Sequence, residues 1–84
     1  MSMRLTRQGF AYVKHHLKIE YFDFTLKEKL LPRALVQLER CINHPYFITS
    51  LTEITVFDEA TAIMLHLNGS DLQTYLNNLE NNLG

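Results

Sequence analysis

Four histidines, one cysteine and nine carboxylates are the side chains of this chain that could take part in chemistry. His15 and His16 are adjacent, and neighbours on a strand point to opposite faces, so they cannot grip one ion together without distortion. Neither a Cys-x-x-Cys nor a His-x-x-x-His spacing occurs around His44, His66 or Cys41. No metal site is expected. Cys41 and His44 stand three apart and could meet at a helix end, but no oxyanion-hole motif accompanies them. Asp58-Glu59 reads as turn chemistry, where acids are common, rather than as a catalytic pair. No Gly-rich phosphate loop is present. Asn68-Gly69-Ser70 matches a glycosylation sequon but reads better as a turn followed by a helix N-cap. The expectation is a chain that is not an enzyme and needs no cofactor.

Length and charge narrow the class further. Eighty-four residues, 46% of them apolar and 20% charged, are read as one globular domain over 1–84, with a stability of roughly 4–12 kcal/mol. A single cysteine cannot form an internal disulfide. No signal-peptide or membrane-spanning run occurs, so a cytoplasmic location is expected. The net charge of −1 hides an asymmetry. Residues 1–18 hold Arg4, Arg7, Lys14 and Lys18 and no acid, while the remainder carries a net −5 and has no Lys or Arg after Arg40. Such a split fits a basic N-terminal part packing on the acidic C-terminal half, within one chain or between subunits. The other use of Arg4, Arg7, Lys14 and Lys18 is anion contact with nucleic-acid phosphates.

The elements that must position these residues come from periodicity. Ser70-Asp71-Leu72-Gln73 resembles a capping box and predicts a final helix with Leu72, Leu76, Leu79 and Leu83 on one stripe. Gly84 is placed at its C-cap, and Asn77, Asn78, Glu80, Asn81 and Asn82 on its wet side. Thr25-Leu26-Lys27-Glu28 predicts another start, and Leu31, Ala34, Leu35, Leu38 and Ile42 keep helical spacing. Pro32 either kinks that helix or opens it. Asn43-His44-Pro45 ends it. Cys41, near the stripe, is read as a small core hydrophobe. Thr52–Phe57 and Ala62–Leu67 alternate and predict a hairpin turned by Asp58–Thr61. Leu17–Phe24 also reads as a strand, and Gly9–His16 leans to strand. The fold class is therefore α+β, a small two-layer sandwich of β(β)αββα order, with one sheet of three to four strands and two helices on one face.

Alternation then divides the sheet. Leu17, Ile19, Tyr21, Ile54, Val56, Ile63, Leu65 and Leu67 are assigned to the face under the helices, where Leu31, Leu35, Leu38, Leu72, Leu76 and Leu79 would meet them. The other face receives Phe22, Phe24, Phe57, Met64 and His66, which are mostly large apolar side chains on a surface that should be polar. Those five residues are the candidate interaction face. They point to a non-catalytic protein-interaction or regulatory module, of adaptor or inhibitor type, acting as a homodimer or by docking on another protein. The alternative is a small nucleic-acid binder that stacks bases on Phe22, Phe24 and Phe57. Coverage of that face by the segment carrying Phe10 and Tyr12 would remove the need for a partner there.

Overall fold

The computed structural model describes residues 3–83, with side chains for residues 4–81. A two-residue strand β1 (Met3–Arg4) leads into helix α1 (Arg7–Tyr12), which continues as a π-helical turn over Val13–Leu17. Strand β2 (Phe22–Thr25), helix α2 (Pro32–Cys41), strands β3 (Pro45–Ser50) and β4 (Glu53–Val56), and helices α3 (Glu59–Leu67) and α4 (Leu72–Leu83) follow. The sheet order is β1-β3-β4-β2. Strands β2, β4 and β3 are antiparallel, and short β1 joins the edge parallel to β3. The α+β class holds, but the order of elements differs from the expected one.

Local chemistry accounts for most boundaries. The Thr6 hydroxyl accepts the Gly9 N–H at 3.0 Å and starts α1, so Gly9–His16 is helical and not a strand. Pro32 sits at the first position of α2, where a missing N–H costs nothing, and Leu31 before it is extended and exposed. Residues 26–30 form a loop tied to the hairpin turn: the Leu26 N–H donates to the Thr52 carbonyl at 2.6 Å and the Leu30 N–H to the Leu51 carbonyl at 2.7 Å. The hairpin itself lies one strand earlier than the alternation implied. Tyr46-Phe47-Ile48-Thr49 supplies aromatic and β-branched residues for β3, and Leu51-Thr52 turns the chain into β4.

The segment Ala62–Leu67, expected as the second hairpin strand, is helical. Asp58 caps it, accepting the Thr61 N–H at 2.9 Å and the Thr61 hydroxyl at 2.8 Å. A run as apolar as Ala62-Ile63-Met64-Leu65 fits a helix as well as a strand, and the cap decides between them. Gly69 (φ +65°) and Ser70 (φ 62°) are both left-handed. Ser70 therefore belongs to the connection between α3 and α4. The cap of α4 is Asp71, whose carboxylate accepts the Thr74 N–H at 3.1 Å. The expected stripe member Leu83 and the cap Gly84 lie outside the described side chains.

The register of β4 sets the core. Phe22 pairs with Val56 and Phe24 with Ile54, while Tyr46 and Ile48 pair with the same two residues from the other side. These six share one face. Tyr46, Ile54 and Val56 are buried with Ala34 and Leu38 of α2, Ala62 and Leu65 of α3, and Leu72, Tyr75 and Leu76 of α4. Phe22 and Phe24 pack against this cluster, and the expected assignment of the two faces is inverted for them. Alternation counted from Leu17 implies one continuous strand, but pairing begins at Phe22, and a shift of one residue moves every side chain across the sheet. Ile63, expected inward, points to solvent.

A polar ladder joins α2 to α4. Gln37, 1% exposed, donates from its amide nitrogen to Asn77 Oδ1 and Glu80 Oε2, both at 3.1 Å. It accepts from Gln73 at 2.6 Å, and Arg40 closes the row on Glu80 at 2.5 Å. Asn77 and Glu80, expected on the wet side, thus face the neighbouring helix. Leu76, fully buried beside this row, tests the packing: Leu76→Ala is expected to lower the unfolding free energy by about 2–5 kcal/mol in urea denaturation. A loss below about 0.5 kcal/mol would contradict the central position of α4.

Candidate functional site

The side chains richest in chemistry converge where the end of α2, the His44 loop, the start of α3 and the middle of α4 meet. An open cleft of about 260 Å³ lies there, with Cys41, His44, Asp58, Thr61, Met64 and Tyr75 on its walls. His44 Nε2 is 3.7 Å from Asp58 Oδ2, the same oxygen that caps α3. The two Thr61 hydrogen bonds hold the Asp58 carboxyl below its usual range, with the His44 charge adding to them. Burial pushes the Tyr75 phenol up, opposed by its hydrogen bond to Thr61 and aided by the Asp58 carboxylate and, in the alkaline range where it ionises, by the Cys41 thiolate.

This arrangement has the residue types of thiol chemistry without its electrostatics. Burial raises the Cys41 thiol pKa, the nearby Glu80 carboxylate raises it further, and Arg40 offsets this in part. The sulfur is therefore a protonated thiol at neutral pH. His44 is turned toward Asp58, and Asp58 is committed to the helix cap. Among the described residues no three His, Cys, Asp or Glu side chains come close enough to hold a metal ion.

The candidate interaction face does not survive as one surface. Phe22 and Phe24 are half-buried against the core. Phe57 belongs to an aromatic cluster on the opposite side of the sheet, where Phe10 of α1 stacks on Phe47 at 4.4 Å and meets Phe57 at 6.0 Å and Tyr21 at 6.4 Å. Phe10 of α1 thus covers part of the face expected to be bare. Met64 and His66 are exposed, but on α3. Of the cations, Lys14 lies over the Phe10 and Tyr21 rings at 5.6 and 5.2 Å from their centroids. Arg4 sits on β1, Arg7 opens α1, and Lys18 ends the π-helical turn in a left-handed conformation with φ 52°. The ion pairs among the described residues are Arg40–Glu80 and His44–Asp58, so none of these four cations is paired with an acid.

A different surface emerges. Helix α3 buries Thr61, Ala62 and Leu65 and leaves Ala60, Ile63, Met64 and Leu67 outside. Ile63 is 51% exposed and Leu67 71%. Positions 60, 63, 64 and 67 have the spacing of one helical stripe. The sequence signal for it was Asp58-x-x-Thr61 preceding the apolar run, a helix start where the alternation read a hairpin turn. A second exposed apolar group, Tyr12, Leu17 and Ile19, lies among the N-terminal cations.

No family model matches the chain, and no curated protein or solved structure matches it.

Two measurements follow from this geometry. Cys41 is expected to react slowly with iodoacetamide at pH 7 relative to the urea-unfolded chain, and to accelerate as pH rises past the ordinary thiol range. A fast reaction at pH 7 that stays level with rising pH would contradict the protonated thiol. Oligonucleotide binding is expected to be no tighter than roughly 10⁻⁴–10⁻⁶ M at physiological salt, because four cations supply a salt slope of at most about −4 and Phe22, Phe24 and Phe57 are engaged elsewhere. Fluorescence anisotropy with mixed single-stranded and duplex probes reads this directly, and nanomolar binding lost on Arg4→Ala and Arg7→Ala would overturn it.

Proposed function

We propose that this chain is a non-catalytic protein-interaction module, of the adaptor or regulatory-subunit kind, that docks through the outer stripe of α3. The observation that carries the reading is that α3 is apolar on nearly every side yet buried on only one. A helix apolar all round is normally enclosed, and a large side chain left wholly outside forgoes roughly 1.5–3 kcal/mol of burial, with Ile63 and Met64, about half exposed, forgoing roughly half of that. Ile63, Met64 and Leu67 form a contiguous patch of the kind that marks contact with another protein. The neighbouring cleft supports the same reading, because its carboxylate and hydroxyl are spent on capping α3, which holds the stripe rigid. A reducing compartment such as the cytoplasm suits a chain with one thiol and no disulfide.

A photo-crosslinking residue at Leu67 or Ile63, in cells producing the protein, is expected to give one discrete adduct. The same residue at exposed Glu28 is expected to give none. Absence of an adduct at both α3 positions, or equal adducts at all three, would overturn the reading.

A further inference from the structure

We infer that β2 is a pairing edge whose partner is β2 of a second copy of this chain, added antiparallel about a two-fold axis at Phe24. This surface is distinct from α3, and the inference needs nothing from the role proposed for that helix. Strand β2 ends one side of the sheet, with β4 as its neighbour. Phe22 pairs with Val56 and Phe24 with Ile54, and one step on the Leu26 N–H donates to the Thr52 carbonyl at 2.6 Å. Bonding alternates along an antiparallel ladder, so the backbone groups of Phe22, Phe24 and Leu26 face β4. Those of Asp23 and Thr25 face away from it. Among the described residues no loop or turn supplies them with a backbone bond, and both residues are exposed. Edge strands are normally blunted by proline, lysine, a bulge or extreme shortness. The opposite edge is blunted in this way, because β1 has two residues and one of them is Arg4. Strand β2 has four residues, holds no Pro or Lys, and keeps an unbroken register with β4.

This edge is complementary to itself. With Phe24 on the axis, Asp23 of one chain lies opposite Thr25 of the partner. The Asp23 N–H donates to the carbonyl of that Thr25, whose own N–H donates to the Asp23 carbonyl. The axis repeats the exchange, so every outward backbone group at these positions is satisfied and the assembly closes at two chains. Phe24 then meets its own copy at a non-hydrogen-bonded position, where cross-strand side chains approach most closely. That contact covers an aromatic ring left half-buried at the rim of the core. On the other face of the sheet the Thr25 hydroxyl stands opposite the Asp23 carboxylate, which already accepts from Thr55 and has room for a second donor. Other registers fit less well. An axis at Asp23 sets two carboxylates against each other. An axis at Thr25 sets Asp23 opposite Lys27, whose N–H is already given to the Ser70 carbonyl.

Sedimentation velocity and amide hydrogen exchange test the pairing. The wild type is expected to form a reversible two-chain species with a dissociation constant between roughly 1 μM and 1 mM. The Asp23 and Thr25 amides are expected to exchange fast in dilute protein and to slow as concentration rises, while the Phe24 amide stays protected throughout. Thr25 is exposed, so its side chain can be changed without touching the core. Thr25→Lys is expected to tighten the dimer and Thr25→Glu to weaken it, each by roughly two- to thirtyfold, because the new charge faces Asp23 in both pairs. Thr25→Pro is expected to abolish the dimer, since it removes an N–H that only the partner uses, at an edge position where proline is tolerated. A wild type still monomeric at about 1 mM, a dimer whose Asp23 and Thr25 amides stay fast, or Lys and Glu variants that shift the constant in the same direction would overturn the inference. A dimer dissociated by Leu67→Glu and untouched by the Thr25 variants would place the contact on α3 and overturn this inference alone.

Discussion

The register of β4 between its two neighbours is the constraint on which the rest of this structure depends. Ile54 and Val56 each have a partner on both sides, Phe24 with Ile48 and Phe22 with Tyr46. That pairing fixes one apolar face six side chains wide and directs Phe47 and Thr55 to the other. Everything later in the chain packs on the first face, and α1 packs on the second through Phe10 and Phe47. On the second face the Thr55 hydroxyl donates to the Asp23 carboxylate, so this buried threonine has a polar partner. A slip of one residue would bury Asp23 against the helices and expose Phe22 and Phe24, which the apolar core cannot tolerate.

Two kinds of interaction then position the helices. Leu38 and Leu76, both fully buried, bring α2 and α4 together by apolar contact that is indifferent to rotation. The Gln37, Gln73, Asn77 and Glu80 ladder adds direction, because each amide must meet its acceptor. Helix α3 has no such ladder. It is fixed by its Asp58 cap and by Thr61, Ala62 and Leu65 beneath it, and its opposite side is left without cover. The candidate docking surface is thus the outcome of three elements competing for one face of a small sheet.

Part of this was legible in the residues alone. The spacing of Leu72, Leu76 and Leu79 marked α4, Pro32 offered a start for α2 beside the alternative of a kink, and the β-branched residues of Glu53–Val56 marked β4. What could not be read was long-range. Whether Ala62–Leu67 pairs with β4 or coils over it depends on a cap at Asp58 and on β3 having already taken that edge of β4. Phe22, Phe24, Phe57, Met64 and His66, assigned to one surface, are divided between the core face, the aromatic cluster and α3 for the same reason, since a face exists only once the register is known. The charge split between residues 1–18 and the remainder was visible from the start, but only the fold shows that the N-terminal cations stay unpaired among the described residues.

The central claim is that the outer side of α3 is a surface made to be covered. Methyl NMR with a soluble paramagnetic agent tests it most directly, because it reports solvent access at Ile63, Met64 and Leu67 individually. The account predicts strong attenuation of these methyls in the isolated chain, its loss when the protein captured by crosslinking at Leu67 is added, and no attenuation of the Leu76 methyls in either state. Methyls of α3 that stay equally accessible with that protein present, or that are already shielded in the isolated chain, would contradict it.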